Sequence, residues 1–239
     1  MEKYISVEKE YKEKINEIWN NNDFSEIAII KRGYVIHDKI LENSILFIGI
    51  NPSYIKTSQP GRNFINLDQE GRKSENEKPY SYFLKFAKIT EKINSTSENR
   101  KVKWSHLDLL FYRETNQKGL YTIGKQKNGD NFIQKQLNIT KEVIIKSKPK
   151  IIVVSNAKAR DLLKNEKYKL GFKFKFNELL GTEIMSHTSL PSKIPVFFTS
   201  MLSGQRALDN GSYERLIWHI NFVLNKIEKS QLATTVHRQ

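Results

Sequence analysis

The sequence predicts a three-layer α/β/α fold, in which helices cover both faces of a central, mainly parallel four-stranded sheet. Segments with an apolar residue at every third or fourth position alternate with short continuous apolar runs, as βαβ units require. Such runs are typical of strands buried on both sides, and they are Ile45–Ile48, Leu107–Tyr112, Ile151–Val154 and Val196–Phe198. The length of 239 residues suits one domain, which we expect at residues 1–229, followed by a flexible C-terminal tail at residues 230–239.

The remaining elements are predicted from apolar spacing and from the breaks in it. A first amphipathic helix follows from the stripe Tyr4, Val7, Tyr11, Ile15 and Ile18. Residues 27–36 predict a short strand or hairpin, and residues 51–77 a long loop, which in a compact domain tends to be functional. Polar, basic loops are expected at residues 91–103 and 117–131. Further helices are expected from Pro79 onward and at residues 131–148, 156–163 and 212–227, with Ser212 as the cap of the last.

Charge and composition narrow the classes of partner and cofactor. Forty Lys and Arg against 26 Asp and Glu give a net charge of +14, which favours a partner that carries many phosphates. No apolar run approaches the length of a membrane span, and the N-terminal residues lack the apolar core of a signal peptide. The absence of Cys excludes a disulfide, a thiol nucleophile and Cys-ligated metals. We therefore expect a cytoplasmic monomer with no membrane partner, no metal and no cofactor.

The segment Gly49-Ile50-Asn51-Pro52-Ser53 follows the first apolar run. Ligands of parallel sheets bind outside the carboxyl ends of the strands, where this segment and the loops at residues 108–116, 155–158 and 199–211 should meet. A tight turn from strand to loop is the structural alternative, because Gly permits close backbone approach and Pro fixes φ.

These segments resemble, in order, the motifs of the uracil-DNA glycosylase superfamily. Gly49-Ile50-Asn51-Pro52-Ser53 is similar to the GINPG motif of its mismatch-specific uracil and thymine glycosylases. Gly61-Arg62-Asn63-Phe64 matches the place of an aromatic that stacks on the flipped base. Asp108 to Arg113 and Val153 to Ala157 look like the second and third central strands with their ends. Ser200-Met201-Leu202-Ser203-Gly204-Gln205-Arg206 matches the tail of the HPSPLS-type loop that enters the minor groove.

The resemblance implies a role for each matched residue. Asn51 would hold the attacking water below the anomeric carbon, although a turn residue that satisfies its own backbone stays an alternative. Gly49, Ile50 and Ser53 would line the base pocket, with Ser53 leaving the 5-position of the base open. Phe64 would stack on the base, unless it is an ordinary core aromatic. Asp108 would accept from the amino group of a cytosine, unless it pairs with Arg113 or a nearby Lys.

The sequence also departs from the family pattern. The loop of the family usually opens with His or Asn, and Phe198 occupies that position here. A competing alignment places His187 there, as a catalytic cation beside the leaving base, but no terminal helix follows it directly. The apolar pair Met201 and Leu202 would fill the gap left by an extruded nucleotide.

These observations predict a metal-free, monofunctional DNA glycosylase that flips out and excises a pyrimidine. Ser53 and Asp108 together favour a 5-modified cytosine, such as those in the DNA of some bacterial viruses, so the role would be antiviral defence. Excision of uracil or of mismatched thymine in repair is the nearest alternative. A catalytically silent nucleic-acid-binding relative and an unrelated α/β binder of phosphate esters or nucleotides remain as rivals.

Overall fold

The computed structural model describes residues 2–55, 57–98, 100–116, 118–204 and 207–236. Its strands are β1 (Tyr4–Ser6), β2 (Gly33–His37), β3 (Lys39–Leu41), β4 (Ile45–Gly49), β5 (Gly61–Ile65), β6 (Trp104–Asp108), β7 (Ile151–Val154), β8 (Lys173–Asn177), β9 (Thr182–Ser186) and β10 (Ile194–Phe198). Its α-helices are α1 (Val7–Asn20), α2 (Ser81–Asn94), α3 (Lys118–Gly124), α4 (Gly129–Ser147), α5 (Ala157–Lys164) and α6 (Asn210–Val236).

The central sheet, within the described residues, has six strands in the order β6-β4-β7-β10-β9-β8. The first four strands are parallel to one another and are the four that the apolar runs predict, so a mixed α/β fold with a mostly parallel sheet is confirmed. The predicted total of four strands is wrong. β9 pairs antiparallel with β10, and β8 pairs antiparallel with β9, so these two strands extend the sheet at the β10 edge.

Each face of the parallel strands contributes to its own apolar cluster, because successive side chains point to opposite faces. On β4, Leu46 and Ile48 join the cluster that contains residues of α1, α4 and α5. Ile45 and Phe47 join the other cluster, which contains residues of α2 and α6. The position of a residue along a strand therefore decides which set of helices its side chain meets.

The predicted second strand is displaced along the chain, because β6 begins at Trp104 and ends at Asp108. The residues that follow are buried but pair outside the sheet. Leu110 N–H donates to the carbonyl of Ile50, and Tyr34 on β2 forms a bridge with Tyr112. Residues 109–112 are thus buried as an extended segment beside β2 and not as part of the central sheet.

Other segments also differ from prediction. β5, which pairs with β2, lies within the stretch predicted to be a long loop, and α3 lies within a predicted basic loop. α6 continues beyond the expected end at Ile227 to Val236. Its cap is Asp209 rather than Ser212, since the Asp209 carboxylate accepts from both the N–H and the hydroxyl of Ser212. Among the described residues, no helix has the length and apolar character needed to cross a membrane.

Candidate functional site

The carboxyl ends of three neighbouring strands bring polar residues to one edge of the sheet. Asn51 follows β4, Asp108 ends β6, and Ser155 follows β7. From β4 the chain passes to β6 on one side, whereas from β7 it passes to β10 on the other. In open α/β sheets, such a reversal of direction opens a crevice in which ligands bind. We take this edge as the candidate site.

The side chain of Asn51 is held by the backbone around it. Its Nδ2 donates to the carbonyl of Pro52 at 3.0 Å and to the carbonyl of Glu114 at 2.5 Å. No hydrogen bond within the described part of the chain uses Oδ1 of this half-buried side chain. The side-chain amide of Asn51 is therefore fixed in orientation, and its Oδ1 is available to accept a hydrogen bond from a water molecule.

Asp108 lies against β4 and is held by a buried histidine. Its Oδ2 is 3.4 Å from Nε2 of His106, and the His106 side chain is almost fully buried. A Cβ atom at Gly49 would lie 2.2 Å from Asp108 Oδ1, so Asp108 can occupy this position only because residue 49 is glycine. Arg113 donates to the carbonyl of Gln59, and no ion pair joins it to Asp108 among the described residues.

Tyr82, on α2, is a member of the site that the sequence analysis missed. Its ring meets His106 edge-on at 5.7 Å, and its phenol lies close to Asp108 and Ser155, though outside hydrogen-bonding geometry with the Ser155 hydroxyl. Burial raises the pKa of Tyr82, and the charge of Asp108 raises it further, whereas Ser155 lowers it. The phenol is therefore protonated at neutral pH and adds a donor beside the carboxylate of Asp108.

Two buried polar atoms of this cluster lack a hydrogen-bond partner among the described residues. They are Nδ1 of His106 and Oγ of Ser155. Buried polar groups in folded proteins are nearly always paired, either within the protein or with ordered water or a ligand. On the α2 side of the sheet, this edge therefore has two polar atoms that could still form hydrogen bonds.

The other predicted pocket residues are distributed differently. Ile50 is buried in the apolar cluster beneath α1 and α4, and Ser53 is exposed. Phe64 packs edge-on against Tyr34 at 5.6 Å and borders the same cluster. Asp108 lies with His106 and Tyr82 on the α2 side, whereas Phe64 has the contacts of a core aromatic. The stacking of Phe64 on a base stays a prediction.

The loop after β10 does not present the predicted apolar wedge. Leu202 is only 2% exposed, and it packs in the cluster with α6 residues. Met201 is half-buried, and its carbonyl accepts from the N–H of Leu208, which ties the loop to the start of α6. Ser200 and Gly204 are exposed and Ser203 is half-buried. Gln205 and Arg206, also predicted to bind DNA, lie outside the described residues.

His187 is far from this edge along the strand direction. It follows β9, which runs antiparallel to β10, so it lies beside the amino end of β10. Its ring meets Phe172 edge-on, and Nδ1 accepts from the N–H of Ser189. Burial and the nearby Lys141 lower its pKa. The assignment of His187 as a catalytic residue is therefore corrected, because a side chain at the opposite end of the sheet cannot contact a base beside Asn51.

The basic residues differ in how far they are exposed. Arg100, expected in a mobile phosphate-binding loop, is buried and bonds to Asn225 and Glu228 of α6 at 2.6 and 2.7 Å. Its function is to fasten the segment before β6 to the last helix. Lys158, by contrast, is half-exposed over the ring of Tyr121 at 4.5 Å, and it lines a cavity of about 290 Å³ between α3 and α5.

A second cavity, of about 300 Å³, lies between the carboxyl end of β10 and the first turns of α6. Neither cavity is lined by Asn51 or Asp108. These two cavities are therefore separate from the candidate site.

Comparison of the chain with protein-family models, with curated proteins and with solved structures found no match.

Proposed function

We propose that this protein is a monofunctional DNA glycosylase with the three-layer fold of the uracil-DNA glycosylase superfamily. The observation that carries the proposal is the fixed amide of Asn51 at the reversal point of the sheet, at the same edge as Asp108. The motif order along the sequence and the two apolar clusters on opposite faces of the sheet support the same assignment.

Asn51 acts by positioning a water molecule. Because Nδ2 is occupied by two carbonyls, Oδ1 accepts a hydrogen bond from the water and directs its oxygen towards the anomeric carbon. The new carbon–oxygen bond forms as the N-glycosidic bond breaks. The water releases a proton to solvent, and the base leaves with the bonding electrons and is then protonated. An amide cannot take the proton itself, so its contribution is orientation rather than general-base catalysis.

Asp108 and Tyr82 provide the groups that read the base. A carboxylate accepts from the exocyclic amino group of cytosine, and a protonated phenol donates to a carbonyl oxygen. Uracil presents an oxygen where cytosine presents the amino group, so it would oppose the carboxylate. The exposure of Ser53 agrees with an unblocked 5-side. The substrate we favour is therefore a 5-modified cytosine, and the biological role is defence against DNA that contains it.

A catalytically silent DNA-binding relative is the second candidate. It is favoured by the position of His187 beside the amino end of β10, since no histidine occurs in the loop after β10 within the described residues. In that case the net charge of +14 would give salt-sensitive DNA binding without excision.

The deciding experiment is a gel assay for abasic sites on duplexes that contain uracil, a thymine–guanine mismatch, or 5-hydroxymethylated and glycosylated cytosine. We expect abasic product from a cytosine derivative, and we expect Asp108→Asn to shift the preference towards uracil, because an amide can also donate. Lys173→Gln, on the edge strand β8, is the matched surface control. Release of uracil alone by the unmodified protein would refute the substrate assignment, and tight binding without product would favour the silent relative.

A further inference from the structure

The turn that follows Phe111 and Tyr112 brings Arg113 together with Arg32 and Tyr54, which come from two other segments of the chain. The guanidinium carbon of Arg113 lies 4.9 Å from the centroid of the Tyr54 ring, and that of Arg32 lies 5.0 Å from it. The backbone of Tyr54 is held by Thr115, whose hydroxyl accepts from the Tyr54 N–H at 3.0 Å and donates to its carbonyl at 2.7 Å. The aromatic ring is thus a fixed platform for two cations.

The two arginines differ in how their charge is balanced. Arg32 forms a 2.7 Å ion pair with Glu114, whose other carboxylate oxygen accepts from the N–H of Asn116. Burial alone would raise the pKa of Glu114, but these hydrogen bonds and the charge of Arg32 lower it. Its carboxylate is therefore ionised, and both of its oxygens already have partners. Within the described residues, Arg113 has no carboxylate within 4.0 Å.

Arg113 also has unused hydrogen-bonding capacity. Its Nη1 donates to the carbonyl of Gln59 at 2.6 Å, which is a neutral acceptor. Its Nε is buried and has no acceptor among the described residues. A guanidinium has five donors in one plane and matches the oxygens of a phosphate better than any other side chain. Arg113 therefore has a positive charge without a carboxylate partner and donors without an acceptor among the described residues. Both features suit the binding of an anion.

The location identifies the anion. The carbonyl of Glu114, the next residue, accepts from Asn51 Nδ2, and the N–H of Glu114 donates to the carbonyl of Pro52. Arg113 is therefore attached to the same turn that positions the proposed water-binding amide. In a nucleotide whose anomeric carbon faces Asn51, the backbone phosphates are attached to the sugar that contains this carbon.

We infer that Arg113 binds a backbone phosphodiester of the nucleotide whose base enters the site, with Tyr54 and the ion-paired Arg32 holding the guanidinium in place. This inference rests on the proposed DNA glycosylase function. Net charge alone would bind a DNA strand without fixing its position on the protein. The inference adds one specific contact, between Arg113 and one phosphate of the strand. The ligand is a phosphodiester within a DNA strand rather than a free phosphate or mononucleotide.

The test is a scan of single phosphates. A labelled duplex with one stable abasic-site analogue is bound in fluorescence anisotropy, and each phosphate around that site is replaced in turn by a neutral methylphosphonate. One replacement should weaken binding of the unmodified protein about 10-fold, as expected for the loss of a charge-assisted hydrogen bond. The same replacement should have no effect on Arg113→Gln, and Arg113→Lys should retain part of it.

Arg62→Gln is the matched control, because Arg62 donates to Asn20 and the carbonyl of Trp19 on the α1 side of the molecule and lacks a carboxylate partner among the described residues. It should retain the full 10-fold effect. Thermal melts confirm that each variant is folded at the assay temperature. Inorganic phosphate and deoxycytidine monophosphate should not compete at millimolar concentration; competition would assign the site to a free anion and overturn the inference.

The outcomes separate this inference from the proposed function. Excision by the unmodified protein without any phosphate that couples to Arg113 would overturn the inference alone. Coupling to one phosphate without excision would support the inference and contradict the glycosylase function. If the unmodified protein neither binds duplex DNA nor excises a base from it, both are wrong.

Discussion

Replacement of Asn51 by aspartate tests whether the donors of its amide determine its function. A carboxylate can act as a general base, whereas an amide cannot, so Asn51→Asp would on that ground be expected to raise activity. The structure predicts the reverse. Nδ2 donates to the carbonyls of Pro52 and Glu114, and a carboxylate oxygen in its place would have no hydrogen to donate and would face two acceptors.

The size of the effect follows from those two hydrogen bonds. Each contributes on the order of 0.5–1.5 kcal/mol, so their loss should lower the free energy of unfolding by about 2 kcal/mol. For a chain of this size, about 2–4 °C of melting temperature corresponds to each kcal/mol, which gives a decrease of about 4–8 °C. Excision should also fall, because the side chain would turn away from the carbonyls and no longer hold the water.

The pH dependence gives a second, independent readout. The two carbonyls disfavour the ionised form of the introduced carboxyl, so its pKa in the folded protein is raised above the ordinary value of about 3.9. A raised pKa means that the destabilisation is complete at neutral pH and decreases as the pH falls through that pKa towards the ordinary value. Protonation restores one donor, so the difference in melting temperature from the unmodified protein should be smaller at pH 4 than at pH 7.5.

Thermal melts at the two pH values measure both effects. Asn22→Asp is the control, since it makes the same change of charge at an exposed residue, and its melting temperature should change by less than 2 °C, or about 0.5 kcal/mol. Equal stability together with faster excision by Asn51→Asp at neutral pH would refute the reasoning. It would show that residue 51 acts as a general base whose carboxylate the site accommodates.

Three further changes test neighbouring parts of the structure. Gly49→Ala adds a methyl group 2.2 Å from Asp108 Oδ1, so the carboxylate must move by about 1 Å and excision should fall about 100-fold in single-turnover assays; an unchanged rate would exclude Asp108 from base contact. Leu202→Ala should lower the free energy of unfolding by about 2–5 kcal/mol in urea titrations, because Leu202 is buried, whereas a stable variant impaired only on duplex DNA would support the wedge. Burial, and then the charge of His106, hold the pKa of His37 well below its ordinary value, so stability should fall as the pH drops below about 6.5, and thermal melts of His37→Gln should show a smaller fall; an identical slope would contradict this.

The parallel strands could be predicted from the sequence because their burial on both faces leaves continuous apolar runs. The same signal misplaced the second strand, since residues 109–112 are as apolar and as buried as a central strand but lie beside β2. The antiparallel strand β8 was missed, although Lys173, Phe174, Lys175 and Phe176 alternate with a period of two. Edge strands carry weaker apolar signals because one side is solvated.

The candidate site could be predicted in part, for a topological reason. The carboxyl ends of parallel strands meet at one edge, so residues that follow separate apolar runs, such as Asn51 and Asp108, can be expected to converge. Tyr82 could not be found this way, because it is on a helix and no local pattern marks its approach to Asp108. Leu202 was misassigned because it stands in a polar segment, and composition does not reveal which apolar side chain in such a segment reaches the core.

One turn, at residues 113–115, supports several parts of the proposed chemistry. The carbonyl of Glu114 orients Asn51, its carboxylate neutralises Arg32, and Thr115 fixes the backbone of Tyr54. A phosphate bound by Arg113 would press on the same turn that holds the water-positioning amide. Binding of the backbone and orientation of the water are then mechanically linked, so energy from a contact remote from the base can improve the geometry of attack. This is the use of binding energy that an enzyme without a general base requires, because orientation is the main contribution available to it.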